Sequence, residues 1–133
     1  MKKGLLLILC VLLLIVTGCG KDKQVACAGD AISNDGVTLH ASVTGELDSN
    51  EKVVNIKHEF EFSDVTVANR YCNTLKSLET IRLGTKVTCS DKTIRIEGFD
   101  RINVAEPEVG EVVLNQTKND FIRVAKLEEY TCQ

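Results

Sequence analysis

The sequence predicts an α+β domain: an antiparallel sheet in the order β-β-β-α-β-β-α, with two helices packed on one face. Three observations predict it. Residues 25–62 alternate apolar and polar with period two, broken only at turn-forming residues, which is the pattern of half-buried strands. At Ser63-Asp64 the apolar period changes to 3.6, the period of an amphipathic helix. Beyond Gly84 two short alternating runs return, and a second, shorter 3.6-period run closes the chain. Strands and helices segregated in this way give an antiparallel sheet with helices to one side.

Taken in order, Val25, Cys27 and Gly29 alternate with their neighbours in a first strand. Asn34-Asp35-Gly36 supplies the turn. Val37, Leu39, Ala41 and Val43 then point one way, and Thr38, His40, Ser42 and Thr44 the other. Asp48-Ser49-Asn50 makes the next turn. In the third strand Val54, Ile56, His58, Phe60 and Phe62 share a face opposite Asn55, Lys57, Glu59 and Glu61. The three strands read as a meander, apolar on one side and wet on the other.

Ser63 or Asp64 can cap a helix by accepting from its free N–H groups. The helical stripe runs through Ala68, Tyr71/Cys72, Leu75, Leu78/Glu79 and Arg82, with Ile81 beside it, and Leu83-Gly84 ends it. Residues 86–90 form a fourth strand with Val87 and Cys89 inward, Asp91-Lys92 turns the chain, and residues 93–99 form a fifth with Ile94 and Ile96 on one face. Residues 100–116 are irregular. Thr117-Lys118-Asn119-Asp120 then resembles a capping box, with Asp where Glu is usual. A second helix carrying Phe121, Ile122, Val124, Ala125 and Leu127 ends near Tyr130.

The start of the chain has a different character. Lys2 and Lys3 precede an unbroken apolar run of twelve residues, 5–16. A helix needs about 20 residues to cross the hydrocarbon of a bilayer, so this run fits a signal peptide better than a membrane span. It ends in Val16-Thr17-Gly18-Cys19, which resembles a lipobox: an aliphatic residue and two small residues before a cysteine whose thiol accepts a diacylglyceryl group. The expected organisation is a signal peptide at 1–18, removed; a lipidated Cys19 with a short tether, 19–24; and one extracytoplasmic domain, 25–133. Cys10 leaves with the signal. Acyl chains contribute about 0.8 kcal/mol per buried methylene, so the lipid on Cys19 alone would hold the domain at the outer side of the cell membrane.

Losing Lys2 and Lys3 from the chain's 16 basic and 19 acidic residues leaves 14 against 19, a balance of −5. With no basic run, nucleic acid is not an expected partner. The sequence names no other protein or small-molecule partner.

Four cysteines remain after lipidation: Cys27, Cys72, Cys89 and Cys132. An even number in a small exported domain reads as two disulfides. A metal site would want close pairs such as C-x-x-C, and no two of these are nearer than 17 positions. Helix rise and strand rise put Cys72 and Cys89 at similar height if the first helix runs antiparallel to the strand after it. That pairing leaves Cys27 with Cys132. The same bookkeeping brings Cys27 close to Cys89, so Cys27–Cys89 with Cys72–Cys132 stays open.

No catalytic residues emerge. Ser in a nucleophile elbow, a free Cys beside a His and a phosphate-cradling Gly-rich loop are all missing from the sequence. His58 falls on the apolar face and reads as a core residue; His40 falls on the wet face, so the two cannot share a metal. Glu106, Glu108 and Glu111 could gather calcium, but they lack the alternating Asp/Asn of a calcium loop and read as a solvated acidic loop. Asn115-Gln116-Thr117 matches a glycosylation sequon, and its expected use is helix entry. The wet face (Thr38, Ser42, Thr44, Lys57, Glu59, Glu61) could meet a partner or simply water. No cofactor or metal is expected.

The lipobox, the early cysteine, the meander and helix, the Val87-Thr88-Cys89-Ser90 strand and the ending Tyr130-Thr131-Cys132-Gln133 together resemble small lipoproteins of the YehR type. The resemblance covers nearly all of the mature chain. It implies a lipid-anchored envelope protein and no catalytic residues. It also implies a bridge between the first and last cysteines, since some members keep only those two. The sequence is thus read as a non-enzymatic binding or structural lipoprotein. The alternatives are a thiol–disulfide redox protein, disfavoured by the mid-helix place of Cys72, or a small solute-capturing lipoprotein.

Overall fold

The computed structural model of the chain describes residues 23–133. The expected signal peptide, the expected lipobox and Cys19 lie outside the described residues. The order is β1 (Gln24–Ile32), β2 (Thr38–Leu47), β3 (Val53–Phe62), α1 (Val65–Leu75), α2 (Leu78–Ile81), β4 (Lys86–Ser90), β5 (Thr93–Glu97), α3 (Lys118–Leu127) and β6 (Thr131–Cys132). The strands form one antiparallel sheet in the order β4-β5-β3-β2-β1-β6. The fold is therefore α+β with an antiparallel sheet. Its element order departs from the expected one at α2 and β6.

The period-two alternation becomes a continuous inward face. Cys27 pairs with Val43, Val43 with His58, His58 with Ile96 and Ile96 with Val87. All five are buried. The strand residues join two apolar clusters. One joins Phe60, Phe62, Ile94 and Ile96 to Val67, Ala68, Cys72 and Leu75 of α1 and Leu78 of α2. The other joins Val25, Val43 and Ile56 to Phe121, Val124 and Ala125 of α3. Tyr130 touches both clusters.

Four details correct the sequence reading. Val54, expected inward, is 51% exposed, and Val53 is buried. Glu46 pairs with Asn55 but Leu47 with Val53, so Val54 is the extra residue of a bulge and the parity flips there. Val53 is held on its other side by the 115–116 chain, which accepts its N–H through the Gln116 carbonyl (2.8 Å) and donates the Asn115 N–H to its carbonyl (2.7 Å).

The single long helix is interrupted. Asp64 does cap it, accepting from the Val67 N–H at 3.0 Å. At its far end the Ser77 hydroxyl donates to the Thr74 carbonyl (2.8 Å), an oxygen the regular ladder would give to residue 78. The turn tightens to i→i+3 bonds, and α2 follows as a separate short piece.

The fifth strand stops at Glu97 rather than at 99. Gly98 has φ +80, and a Cβ there would lie 2.4 Å from the Gly84 carbonyl oxygen, so only glycine fits. The kink sends Phe99 into the core with no exposed surface.

Finally, Thr131 and Cys132 form a two-residue strand on Ala28 and Cys27 where the sequence suggests only a tail. Cys132 bonds to Cys27, across Cα atoms 4.0 Å apart, and Cys72 bonds to Cys89, across 6.2 Å.

Candidate functional site

Beside α1, between it and residues 104–107, lies a cleft of about 320 Å³. Its floor is Leu39, Phe60 and Phe62; Tyr71, Leu75 and Leu78 form one wall. The opposite wall is Val104, Ala105 and Pro107. No charged side chain lines it. A wider, shallower hollow of about 720 Å³ opens at the strand ends beside Ile32, His40 and Ser63. The smaller cleft is the better enclosed and the more apolar, which is what small-molecule sites share.

Each wall is set by chemistry that can be named. The α1 wall is fixed at its start by the Asp64 cap and in its middle by the Cys72–Cys89 bridge. The Tyr71 ring lies 5.2 Å from that of Phe62. The loop wall is fixed by the Asn103 side-chain oxygen, which accepts from the N–H groups of Ala105 and Glu106 at 3.0 Å each. Arg101 donates to the Pro107 carbonyl, and Val113 donates to that of Asp100 (2.9 Å). Asp100 in turn lies 3.6 Å from both Arg82 and Arg101. At the mouth, the hydroxyls of Thr74 and Ser77 donate to the carbonyls of Arg70 and Thr74. Their oxygens remain as acceptors.

A second hollow of about 160 Å³ adjoins the cleft, sharing Leu39 and Phe60 with it. Gly29, Asp30 and Ala31 of β1, Ala41 of β2 and residues 128–130 after α3 complete its lining. Burial, aided by the charge of Glu128, pushes the Tyr130 hydroxyl up to about 12, so it is a protonated donor at neutral pH.

The residues singled out in the sequence lie elsewhere. His58 is 2% exposed, and its Nε2–H donates to the Arg101 carbonyl at 2.9 Å. Its Nδ1 has no partner. Burial pushes its pKa down to about 4, against the raising effect of the Arg101 carbonyl, so the ring is neutral. His40 lies on the opposite face, opposite Glu61, with Nδ1 2.6 Å from the Asp30 carboxylate. Glu111 is held by both terminal nitrogens of Arg123, at 3.2 and 2.5 Å. The hydrogen bond from that guanidinium lowers the Glu111 pKa. Among the described residues, no three His, Cys, Asp or Glu side chains gather into a metal-holding group. The wet face carries cross-strand ion pairs, Lys57–Glu46 at 3.0 Å and Arg95–Glu59 at 2.9 Å. Of the cysteines, Cys72 and Cys89 brace the cleft wall, and Cys27 and Cys132 close the far end of the sheet.

The cleft is not foreseeable from the sequence. Tyr71, Leu75 and Leu78 read there as ordinary core positions, and Val104 and Pro107 fall in a stretch with no pattern. Only the folding of three distant segments together makes the cavity. No protein-family model, no curated protein and no solved structure matches the chain.

Proposed function

We propose that the chain is a lipid-anchored, non-enzymatic binding module at the outer face of the cell membrane, with the cleft beside α1 as its site. The observation that carries the reading is an apolar, partly enclosed space of about 320 Å³, the size and character of a site for a small solute. In this reading both helices cover the same face of the sheet. Support comes from Phe121, which reaches Gly45, and from Cys72, which reaches Cys89: both sheet positions belong to the inward set. The anchor rests on Val16-Thr17-Gly18-Cys19 and on the resemblance to YehR-type lipoproteins. The short tether keeps the site near the membrane, where apolar solutes concentrate.

The test uses a peculiarity of composition. The chain has two tyrosines and no tryptophan. Tyr71 lines the cleft and Tyr130 the adjoining hollow, so intrinsic fluorescence reports on this groove alone. The full chain in phosphatidylcholine vesicles, titrated with 1-hexanol, is expected to show a saturable fluorescence change that Ala105→Phe abolishes by filling the cleft mouth. A flat titration rules out the binding reading. The anchor is tested separately: Cys19→Ala is expected to leave an uncut precursor that takes up no labelled palmitate.

A further inference from the structure

We propose that the end of the domain at which β1 begins rests on the bilayer, with Leu83 set among the lipid headgroups; the inference depends on the Cys19 anchor of the reading above and not on the cleft. The register gathers several segments at this end. Gln24 pairs with Glu46 and Leu47 with Val53, where β1 and β3 start and β2 closes. Glu97 pairs with Lys86, where β5 closes and β4 starts. The Gly98 N–H donates to the Ile56 carbonyl (3.2 Å), and the Gly84 backbone packs against Gly98. The turn from α2 into β4, which carries Leu83, therefore stands at the same end as the start of β1.

Three observations point this end toward lipid. The first is reach. The Lys23 carbonyl already accepts the Leu47 N–H (2.7 Å), and only residues 19–22 precede it back to the anchor. Fully extended, the chain from Cys19 to Lys23 spans at most about 14 Å. From Gln24 to Ile32 β1 runs about 27 Å. A domain anchored at Cys19 thus cannot invert to set its Ile32 end on the membrane. The second is exposure. Leu83 is 103% exposed, and its turn closes through the Thr85 N–H and the Arg82 carbonyl (3.2 Å) without using its side chain. Val54, turned outward by the bulge, is exposed at the same end. A lone exposed leucine is ordinary on a protein surface. This one sits at the tip of a turn on the end that the tether draws to the bilayer, where apolar side chains gain from entering the headgroup boundary. The third is charge. Lys23, Lys52 and Lys86 are exposed here, and none joins an ion pair among the described residues. They balance Asp48, Glu51 and Glu97 and can meet lipid phosphates. The far end carries Asp30, Asp35, Glu61, Asp64 and Asp91 against Arg70 and Lys92, the wrong sign for phosphate.

The chain has no tryptophan, so a single introduced one reports its own surroundings. The full chain, expressed with labelled palmitate, carries either Leu83→Trp or, at the far end, Ile32→Trp; Ile32 is itself 72% exposed, so neither change disturbs the core. Each is reconstituted in phosphatidylcholine vesicles, with and without a chain-brominated phosphatidylcholine that quenches tryptophan on contact. Leu83→Trp is expected to be quenched by the brominated lipid and shielded from aqueous acrylamide. Ile32→Trp is expected to be quenched by acrylamide and not by the lipid. A labelled chain in which Leu83→Trp escapes the brominated lipid but not acrylamide overturns the docking while the anchor stands. Equal lipid quenching at both positions overturns it too, since the domain then has no preferred end. Shielding of Leu83→Trp from both quenchers shows that protein covers it, a second copy for instance, and overturns the lipid surface. Absence of label from the chain overturns the anchor and the docking together.

Discussion

The two apolar clusters solve the same packing problem differently. Beneath β1 and β2, α3 presses directly on the sheet. Gly45 leaves room for the Phe121 ring, which lies 3.1 Å from where a Cβ would stand, and Val25, Val43, Ile56, Phe121 and Ala125 retain no exposed surface. Beneath β3 and β5, α1 carries larger residues on both sides of the contact, and Phe60, Cys72 and Leu75 each keep 7–9% exposure. The residual surface opens into the cleft. A glycine opposite a phenyl ring closes the first interface; in the second, the Tyr71 ring meets Phe62 and a cleft remains beside the contact. The first arrangement buries its apolar surface fully, and the second leaves part of it lining a cavity.

Four measurements can break or sharpen this contrast. The largest effect concerns the bridges. In the chain-entropy account, a cross-link over a loop of about 100 residues contributes about 4.7 kcal/mol, and one over about 15 residues about 3 kcal/mol. Cys27–Cys132 spans 105 positions and Cys72–Cys89 spans 17. Replacing the first pair with serine is therefore expected to lower the urea midpoint more than replacing the second. The reverse order would show that the cleft side depends on its clamp more than the packed side does.

Next come the core truncations. Phe121→Ala is expected to cost about 3–5 kcal/mol, in the range for fully buried aromatics. Leu75→Ala is expected near the low end, about 2 kcal/mol, because its site already adjoins empty space. Equal losses in chemical denaturation would remove the distinction between a tight and a loose interface.

His58 sits on the seam, paired to Val43 on one side and Ile96 on the other. Its pKa falls from 6.5 to about 4 on folding, so between those values the unfolded chain binds the extra proton. This contribution to stability is whole above pH 6.5 and declines as the pH falls toward 4, by about 3 kcal/mol in all. His58→Phe is expected to flatten that part of the stability–pH curve. A curve unchanged by the substitution would locate the acid sensitivity elsewhere.

The smallest effect is Gly45→Ala. A methyl group against the Phe121 ring is expected to cost about 1–3 kcal/mol through overpacking. A neutral result in thermal denaturation would show that α3 can shift to make room for a methyl group.

Much of this architecture is local and therefore legible in one dimension. The period-two runs placed β1 to β5 and the inward rank of Cys27, Val43, His58, Ile96 and Val87, because side-chain parity needs no partner to be counted. The caps at Ser63 or Asp64 and at Thr117 were also legible, since an N-cap acts within three residues; the structure decides for Asp64, and Thr117 does accept from the Asp120 N–H at 3.2 Å. The departures all come from bonds across the fold or from competition for one oxygen. Val54 turns outward because Val53 is claimed by residues 115 and 116, and the helix breaks because Ser77 takes the Thr74 carbonyl. Glu97 ends its strand because Gly84 approaches Gly98, and β6 exists because Cys132 meets Cys27.

The sequence by itself determined the class of fold, most of the inward residues and the core-bound placing of His58, since each follows from periodicity along a single strand or helix. Only the tertiary structure decided that a cleft stays open between α1 and residues 104–107 while α3 closes on Gly45, and that Gly29 and Tyr130 line one hollow. Cavities and potentials depend on distances between segments up to a hundred residues apart, and no local pattern encodes them.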